Sequence, residues 1–160
     1  MFLTDGDGAV GRLLVARFVA RGHRVTATTT SEDMLDTLAR WGARGMVMDG
    51  RDAVSVGVTV GAARPDSIVH RTTARGAAGT DHLLAAAQAA GVPHVVAWSD
   101  ATAPHRLSDA ARAVFETGGA VVLPCGRLDT AVSATVLAVE RRTTGLLRCA
   151  PHRADEEAAR

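Results

Sequence analysis

The residues best suited to hold a ligand form a glycine-rich loop near the start of the chain. Gly6, Gly8 and Gly11 follow the pattern G-x-G-x-x-G, after an apolar segment at residues 1–4 and before an amphipathic segment that starts at Val10. We expect Gly6 to make the tight turn, Gly8 to let the backbone approach a pyrophosphate, and Gly11 to pack a helix against a strand. Amide groups at the helix start would face the phosphates. The residues predicted to bind a dinucleotide here are Gly6, Gly8, Ala9, Val10, Gly11 and Arg12.

The position that normally binds the adenine ribose carries hydroxyl side chains. NAD-binding units place an Asp or Glu about 20 residues after the loop, where it accepts a hydrogen bond from the ribose 2′-hydroxyl. This chain has Thr28, Thr29, Thr30 and Ser31 there, and we predict contacts from Thr29 and Thr30. A hydroxyl can bond either a 2′-hydroxyl or a 2′-phosphate. Arg12 would reach a 2′-phosphate, which favours NADP, while NAD and a solvent-exposed Arg12 stay open as alternatives.

Two histidines are candidates for acid–base chemistry, because imidazole titrates near neutral pH. His70 ends a predicted strand, and His105 lies in the loop that follows Ser99. Each has a simpler interpretation, which is a hydrogen-bonded structural histidine for His70 and an exposed loop residue for His105. The sequence contains no Tyr and no Lys, and all 18 of its basic residues are Arg. Composition alone therefore excludes proton transfer by a Tyr–Lys pair.

Composition also limits the classes of partner. The 160 residues suffice for one domain with a core, and the net charge of +1 gives no attraction to nucleic acid or to an anionic membrane. No apolar run approaches the roughly 20 residues that span a bilayer. The start lacks the basic region of a signal peptide, so we expect a cytoplasmic protein. Cys125 and Cys149 define no disulfide framework, and no metal site is predicted.

Strand-like apolar segments alternate with helical segments along the chain. Strands are predicted at residues 1–4, 24–29, 44–48, 67–70, 93–98 and 119–123. Helices are predicted at residues 10–21, 31–41, 53–62, 79–90, 108–117 and 129–141. The strands are continuous apolar runs, as in sheets covered on both faces. The alternation predicts an α/β protein with a three-layer, doubly wound parallel sheet, a Rossmann fold. We expect a single NAD(P)-binding domain over residues 1–149 and a polar tail over residues 150–160.

Five segments of the chain resemble one family at its order and rough spacing. They are FLTDGDGAVGRLLVARFVARGHRVTATTT, MVMDGRD, ARPDSIVH, GTDHLLAAAQAAGVPHVVAWSD and VVLPCGRL. Together they resemble the NAD(P)-dependent epimerase/dehydratase family, the extended and atypical short-chain dehydrogenases/reductases, including NmrA-like proteins. The likeness covers nearly the whole chain. The family's substrate-binding part is largely missing after Arg127.

The resemblance implies roles for residues at the ends of later strands. It implies that Asp49, with Gly50, lies by the adenine ring, and that residues 70–73, including Thr72 and Thr73, form the wall beside the nicotinamide ribose. It also implies that Ser99 ends the strand that bears the catalytic Ser or Thr. The candidate catalytic residues are Ser99, His70 and His105.

The chain also departs from the family pattern. Asp5 stands where the family commonly begins its loop with Gly, and this places an acid close to the expected pyrophosphate. The family's Tyr-x-x-x-Lys pair is missing. One hypothesis is an NAD(P)-dependent oxidoreductase or epimerase that acts on a small carbonyl or sugar-like metabolite without that pair. The alternatives are a non-catalytic NAD(P) sensor and a scaffold subunit that has lost the cofactor. Family precedent and the Ala/Leu helix faces around residues 83–90 favour a homodimer.

Overall fold

The computed structural model describes residues 1–72, 77–99, 105, 107–124 and 127–149. Its strands are β1 (Phe2–Leu3), β2 (Thr26–Thr29), β3 (Arg44–Val47), β4 (Ile68–Thr72), β5 (Val95–Ser99), β6 (Ala120–Leu123) and β7 (Gly145–Arg148). Its helices are α1 (Ala9–Ala20), α2 (Leu35–Arg40), α3 (Ala53–Ala63), α4 (Ala77–Ala89), α5 (Asp109–Glu116) and α6 (Leu128–Glu140). A 3₁₀ turn, Glu32–Met34, precedes α2. The predicted polar tail at residues 150–160 lies outside the described residues.

All seven strands form one parallel sheet in the order β3-β2-β1-β4-β5-β6-β7. Successive buried residues along a strand face opposite sides of the sheet and belong to two different apolar cores. One core, with Leu3 and Val69, packs against α1, α2 and α6, while the other, with Phe2 and Ile68, packs against α3, α4 and α5. Helices therefore cover both faces of the sheet, and the predicted three-layer Rossmann fold is confirmed. The strand order reverses at β1, which is where doubly wound folds place their ligands.

The seventh strand was not predicted from the sequence. Gly145–Arg148 pairs only with β6 and lies at the edge of the sheet, where Leu146 and Arg148 are exposed. A four-residue edge strand that is half solvated lacks the continuous apolar run by which the six others were found. The sheet therefore extends further toward the C-terminus than the sequence indicated.

Two boundaries near the cleft also differ from prediction. The helix predicted over residues 31–41 begins as the 3₁₀ turn, because the Met34 amide bonds to the carbonyl of Ser31 and the Ser31 side chain makes no capping bond. β4 continues two residues beyond its predicted end. Arg71 and Thr72 consequently pair with Trp98 and Ser99 of β5.

No helix in the described part of the chain has both the length and the apolar character needed to cross a membrane.

The contact between α1 and the β1–α1 loop provides a direct test of the fold. A Cβ at Gly11 would lie 2.2 Å from the carbonyl oxygen of Asp5, whereas a Cβ at Gly57 in α3 would meet nothing within 4 Å. We expect Gly11→Ala to lower the free energy of unfolding by about 3 kcal/mol, because the loop backbone would have to move. Gly57→Ala, the matched control, should raise it by about 0.5–1 kcal/mol. Urea denaturation measures both, and equal effects would contradict the assigned packing.

Candidate functional site

The β1–α1 loop is fastened to the neighbouring strand by its glycines. The Gly6 amide donates to the carbonyl of Thr28 at 2.8 Å, and a Cβ at Gly6 would lie 2.6 Å from the Cβ of Ala27. Gly6 is therefore required for close packing on β2. Gly6 also lies in the turn, because the Gly8 amide donates to the carbonyl of Asp5 at 3.3 Å and so places Gly6 and Asp7 at the centre of a four-residue turn. The positive φ of this loop, 56°, belongs to Asp5.

Helix α1 begins without a capping side chain. Its N-cap, Gly8, has φ −68° and ψ 165°, and no acidic residue occupies the first turn. The amides of the first turn have no partner inside the helix, and the helix dipole adds a partial positive charge there. An anion is the natural partner of such a terminus.

A cleft of about 920 Å³ opens at the carboxyl ends of β1, β2, β3 and β4. The residues of its wall are Thr4, Asp5, Asp7, Thr28, Thr29, Thr30, Val47, Met48, Asp49, Gly50, Arg51, His70, Arg71, Gly79 and Leu83. Four of the predicted cofactor contacts, Thr29, Thr30, Asp49 and Gly50, are in this wall. The loop contributes Asp5 and Asp7 rather than its glycines.

The remaining predicted contacts lie outside this wall. Gly8, Ala9 and Val10 stand at the start of α1, and Thr72 is buried with its hydroxyl donating to the carbonyl of Trp98 at 3.1 Å. Thr73 lies outside the described residues. The guanidinium of Arg12 sits over the Trp41 ring, 5.7 Å from its centroid.

Sequence reasoning missed the charged residues that the cleft does use. Asp7 and Arg51 were not singled out, although each adjoins a predicted contact. From the sequence, Arg71 is either an ordinary surface charge or a contact for an anionic substrate at the sheet edge. The Asp5 carboxylate lies beside Gly8 and pairs with the Arg71 guanidinium at 3.4 Å, with both side chains partly exposed. The usable signal was the parallel sheet itself, because it brings the residues that follow each strand to one edge.

Asp7 is held against the end of β2. The Ser31 amide donates to the hydroxyl oxygen of Thr29 at 3.1 Å, and that hydroxyl donates to Oδ2 of Asp7 at 2.8 Å. Thr29 is buried and Asp7 is half-buried. A hydroxyl whose oxygen already accepts a bond is directed by it, so the carboxylate has a defined position at the place where Rossmann folds bind the adenine ribose.

His70 connects β4 to elements on either side. Its Nδ1 lies 2.9 Å from the Thr4 hydroxyl, and its Nε2 lies 2.8 Å from the Thr80 hydroxyl in α4. Burial lowers the pKa of His70 to about 4, so the ring is neutral at physiological pH. The Thr4 oxygen also accepts from the Arg71 amide at 3.3 Å. In either tautomer of the neutral ring, one nitrogen donates to the hydroxyl it faces and the other accepts from the second hydroxyl. The lone pair of His70 is thus already bonded, which favours the structural interpretation of this histidine.

The other two catalytic candidates lie in different surroundings. Ser99 ends β5 and is 2% exposed, beside Thr72 in the pairing of β4 with β5. His105 is exposed, and most of the loop around it lies outside the described residues. The three candidates therefore differ in their surroundings, since His70 and Ser99 are on neighbouring strands and His105 is at an exposed position.

No protein-family model matches the chain, and no curated protein matches it in sequence. Solved structures are similar to it. A nucleoside-diphosphate-sugar epimerase from Staphylococcus aureus has a TM-score of 0.74 at 13% identity, over 92% of this chain and 69% of that one. A short-chain dehydrogenase/reductase family oxidoreductase from Burkholderia thailandensis has a TM-score of 0.68 at 17% identity, over 92% and 89%. The Bordetella bronchiseptica enzyme WbmG, in complex with NAD and UDP, has a TM-score of 0.59 at 17% identity, over 76% of this chain and 51% of WbmG. At these identities the likeness establishes the fold.

The strained conformation of Asp5 gives a testable consequence. An L-residue in the left-handed region costs about 1–2 kcal/mol, less for Asp, and glycine avoids this. The exposed pair with Arg71 contributes little. We expect Asp5→Gly to raise the melting temperature by about 2–4 °C in a thermal denaturation experiment. Asp5→Ala removes the same carboxylate without relieving the backbone, so a rise of equal size in that variant would contradict the explanation.

The low pKa of His70 predicts a pH-dependent stability. The ring titrates near pH 6.5 in the unfolded chain and near pH 4 in the fold, so the unfolded chain binds the proton more tightly. The stabilisation is complete above pH 6.5 and is lost as the pH falls toward 4, by at most about 3 kcal/mol. Urea denaturation across this range measures the slope, and His70→Gln should flatten it. A His70 imidazole that NMR finds protonated at pH 6 would disprove the assignment.

Proposed function

We propose that this chain binds NAD(H) or NADP(H) in the cleft at the carboxyl edge of its sheet. The observation that carries the proposal is the junction of β1 and α1, where an uncapped helix start meets a loop that packs without side chains at Gly6 and Gly11. A pyrophosphate is the ligand that such a terminus accepts, because its charge satisfies both the first-turn amides and the helix dipole. The adenosine half extends along Thr29, Thr30 and Asp49, and the nicotinamide half toward His70.

The known ligand of a structural neighbour supports this choice. WbmG has the same fold and was solved with NAD and UDP. The cleft of this chain is within the range of volumes that hold small-molecule ligands, and it lies at the point where the strand order reverses. We extend the proposal to residues 1–149 as one NAD(P)-binding domain.

Binding without proton transfer is the role that the described site supports best. The sequence lacks both Tyr and Lys, and both ring nitrogens of His70 lie within hydrogen-bonding distance of threonine hydroxyls. A general base needs a lone pair that is available near the operating pH, and the pKa of His70, lowered by burial to about 4, does not provide one. The chain would then report the cofactor rather than reduce a substrate, as a dinucleotide sensor.

A reductase is the second candidate, favoured by the position of Ser99. It ends β5 next to Thr72, at the carboxyl edge toward which the nicotinamide half would extend. Hydride transfer from NAD(P)H to a small carbonyl or sugar-like metabolite would then rely on the Ser99 hydroxyl to bind the carbonyl oxygen and on water to protonate the alkoxide that forms. Turnover of NADPH or NADH with a panel of aldehydes and ketones separates this candidate from the sensor.

Titration with NADH and NADPH tests the proposal. Trp98 and Trp41 lie within the domain, so binding should quench their fluorescence and transfer energy to the reduced nicotinamide. We expect saturable binding, weakened at least about tenfold in Gly8→Asp, whose carboxylate would repel the pyrophosphate. The backbone angles at Gly8 suit an aspartate N-cap, so this variant should still fold.

Gly8→Ser is the matched control for that variant. It adds a smaller capping side chain without charge, and we expect this variant to bind the cofactor more tightly than Gly8→Asp does. Thermal melts check that all three proteins are folded. The absence of binding at millimolar cofactor in the folded parent chain would disprove the proposed function.

A further inference from the structure

We propose that Asp7 selects the cofactor and that the chain takes NAD(H) in preference to NADP(H). This inference rests on the proposed function and names the group that determines its specificity. The position is set by geometry, because Asp7 is in the wall of the cleft together with Thr29 and Thr30 at the carboxyl end of β2. A bound dinucleotide places its adenine ribose at this strand end. The carboxylate that usually stands on the strand itself is here supplied by the phosphate loop.

The Asp7 carboxylate is positioned to accept a ribose hydroxyl. Its Oδ2 accepts the Thr29 hydroxyl at 2.8 Å, and the Ser31 amide directs that hydroxyl from behind at 3.1 Å. Among the described residues Oδ1 has no hydrogen-bond partner. A neutral 2′-hydroxyl can therefore donate to Oδ1 in a charge-assisted bond, while Oδ2 stays anchored to β2.

A 2′-phosphate would meet the same carboxylate as a like charge. Of the described residues, three arginines stand at this edge of the sheet, in the first turn of α1, after β3 and in β4, and two of them have a partner elsewhere. Arg12 stacks over Trp41, and Arg71 pairs with Asp5. Arg51 remains in the wall of the cleft, but its own amide bonds the carboxylate of Asp49, so that loop carries both signs of charge. The local balance beside Thr29 is negative, which penalises the phosphate.

The experiment compares the dissociation constants of NADH and NADPH for the parent chain and for Asp7→Asn. We expect the parent to bind NADH at least about tenfold more tightly, and Asp7→Asn to reduce that preference by about tenfold. The amide retains an oxygen for Thr29, so the loop should keep its place. Asp7→Ser is a second variant that removes the charge with a smaller side chain.

Two further variants separate charge at this position from other effects. Asp66→Asn makes the same change of charge on the exposed turn before β4, at the opposite edge of the sheet, and should leave the preference unchanged. Thr29→Val removes the hydroxyl that holds the carboxylate, so it should lower the preference for NADH severalfold without abolishing binding. That effect identifies Thr29 as a positioning residue, and it should disappear when Asp7 is already Asn.

The outcomes distinguish this inference from the proposed function. A parent chain that binds NADPH as tightly as NADH overturns the selectivity and leaves dinucleotide binding intact. An unchanged preference in both folded Asp7 variants also overturns it. A folded parent that binds neither dinucleotide overturns the inference and the proposed function together.

Discussion

The first turn of α1 lies directly against the backbone of the loop that precedes it. A side chain at Gly11 would overlap the carbonyl of Asp5 and the backbone of Gly6, so these three residues have fixed relative positions. Gly6 is in turn pressed onto Ala27 of β2. The loop thereby links β1, β2 and α1 as one rigid unit, and the backbone of each charged residue in it has a defined position. The positions of Asp5 and Asp7 at the cleft follow from this packing.

The same packing explains which part of the site sequence reasoning could predict. The glycine spacing and the alternation of strands and helices are local patterns, so the β1–α1 loop and six of the seven strands were predicted near their observed positions. The left-handed conformation of Asp5 was not, because an L-residue with φ 56° depends on the tertiary contacts around it. β7 was missed for a related reason, since it pairs with β6 and packs Leu147 on the core, while its own four residues carry no strong pattern.

Electrostatics at the cleft depend on how each carboxylate is compensated. Asp5 stands beside the start of α1 and is compensated by the Arg71 guanidinium. Among the described residues, Asp7 accepts one hydrogen bond, from the Thr29 hydroxyl, which orients its charge without cancelling it. Asp5 and Asp7, which are two residues apart, therefore have different effects on the electrostatics of the cleft. The first has a cationic partner where a pyrophosphate would bind, whereas the second has none among the described residues where a ribose would bind. In the sequence both residues are simply Asp, and only the fold shows that their surroundings differ.

His70 shows why a residue type is a poor guide to chemistry in this cleft. His70 lies at the carboxyl edge of a parallel sheet, where a catalytic base would be expected. Both of its ring nitrogens, however, are within hydrogen-bonding distance of the Thr4 and Thr80 hydroxyls. Those bonds connect β1 to α4 through β4, and they hold together the part of the sheet from which the cleft opens. Burial keeps the ring neutral by lowering its pKa, so His70 adds no positive charge beside the Asp5–Arg71 pair at neutral pH. The histidine thus shapes the site by its hydrogen bonds and by its lack of charge, and the features that would favour an anion lie at the start of α1.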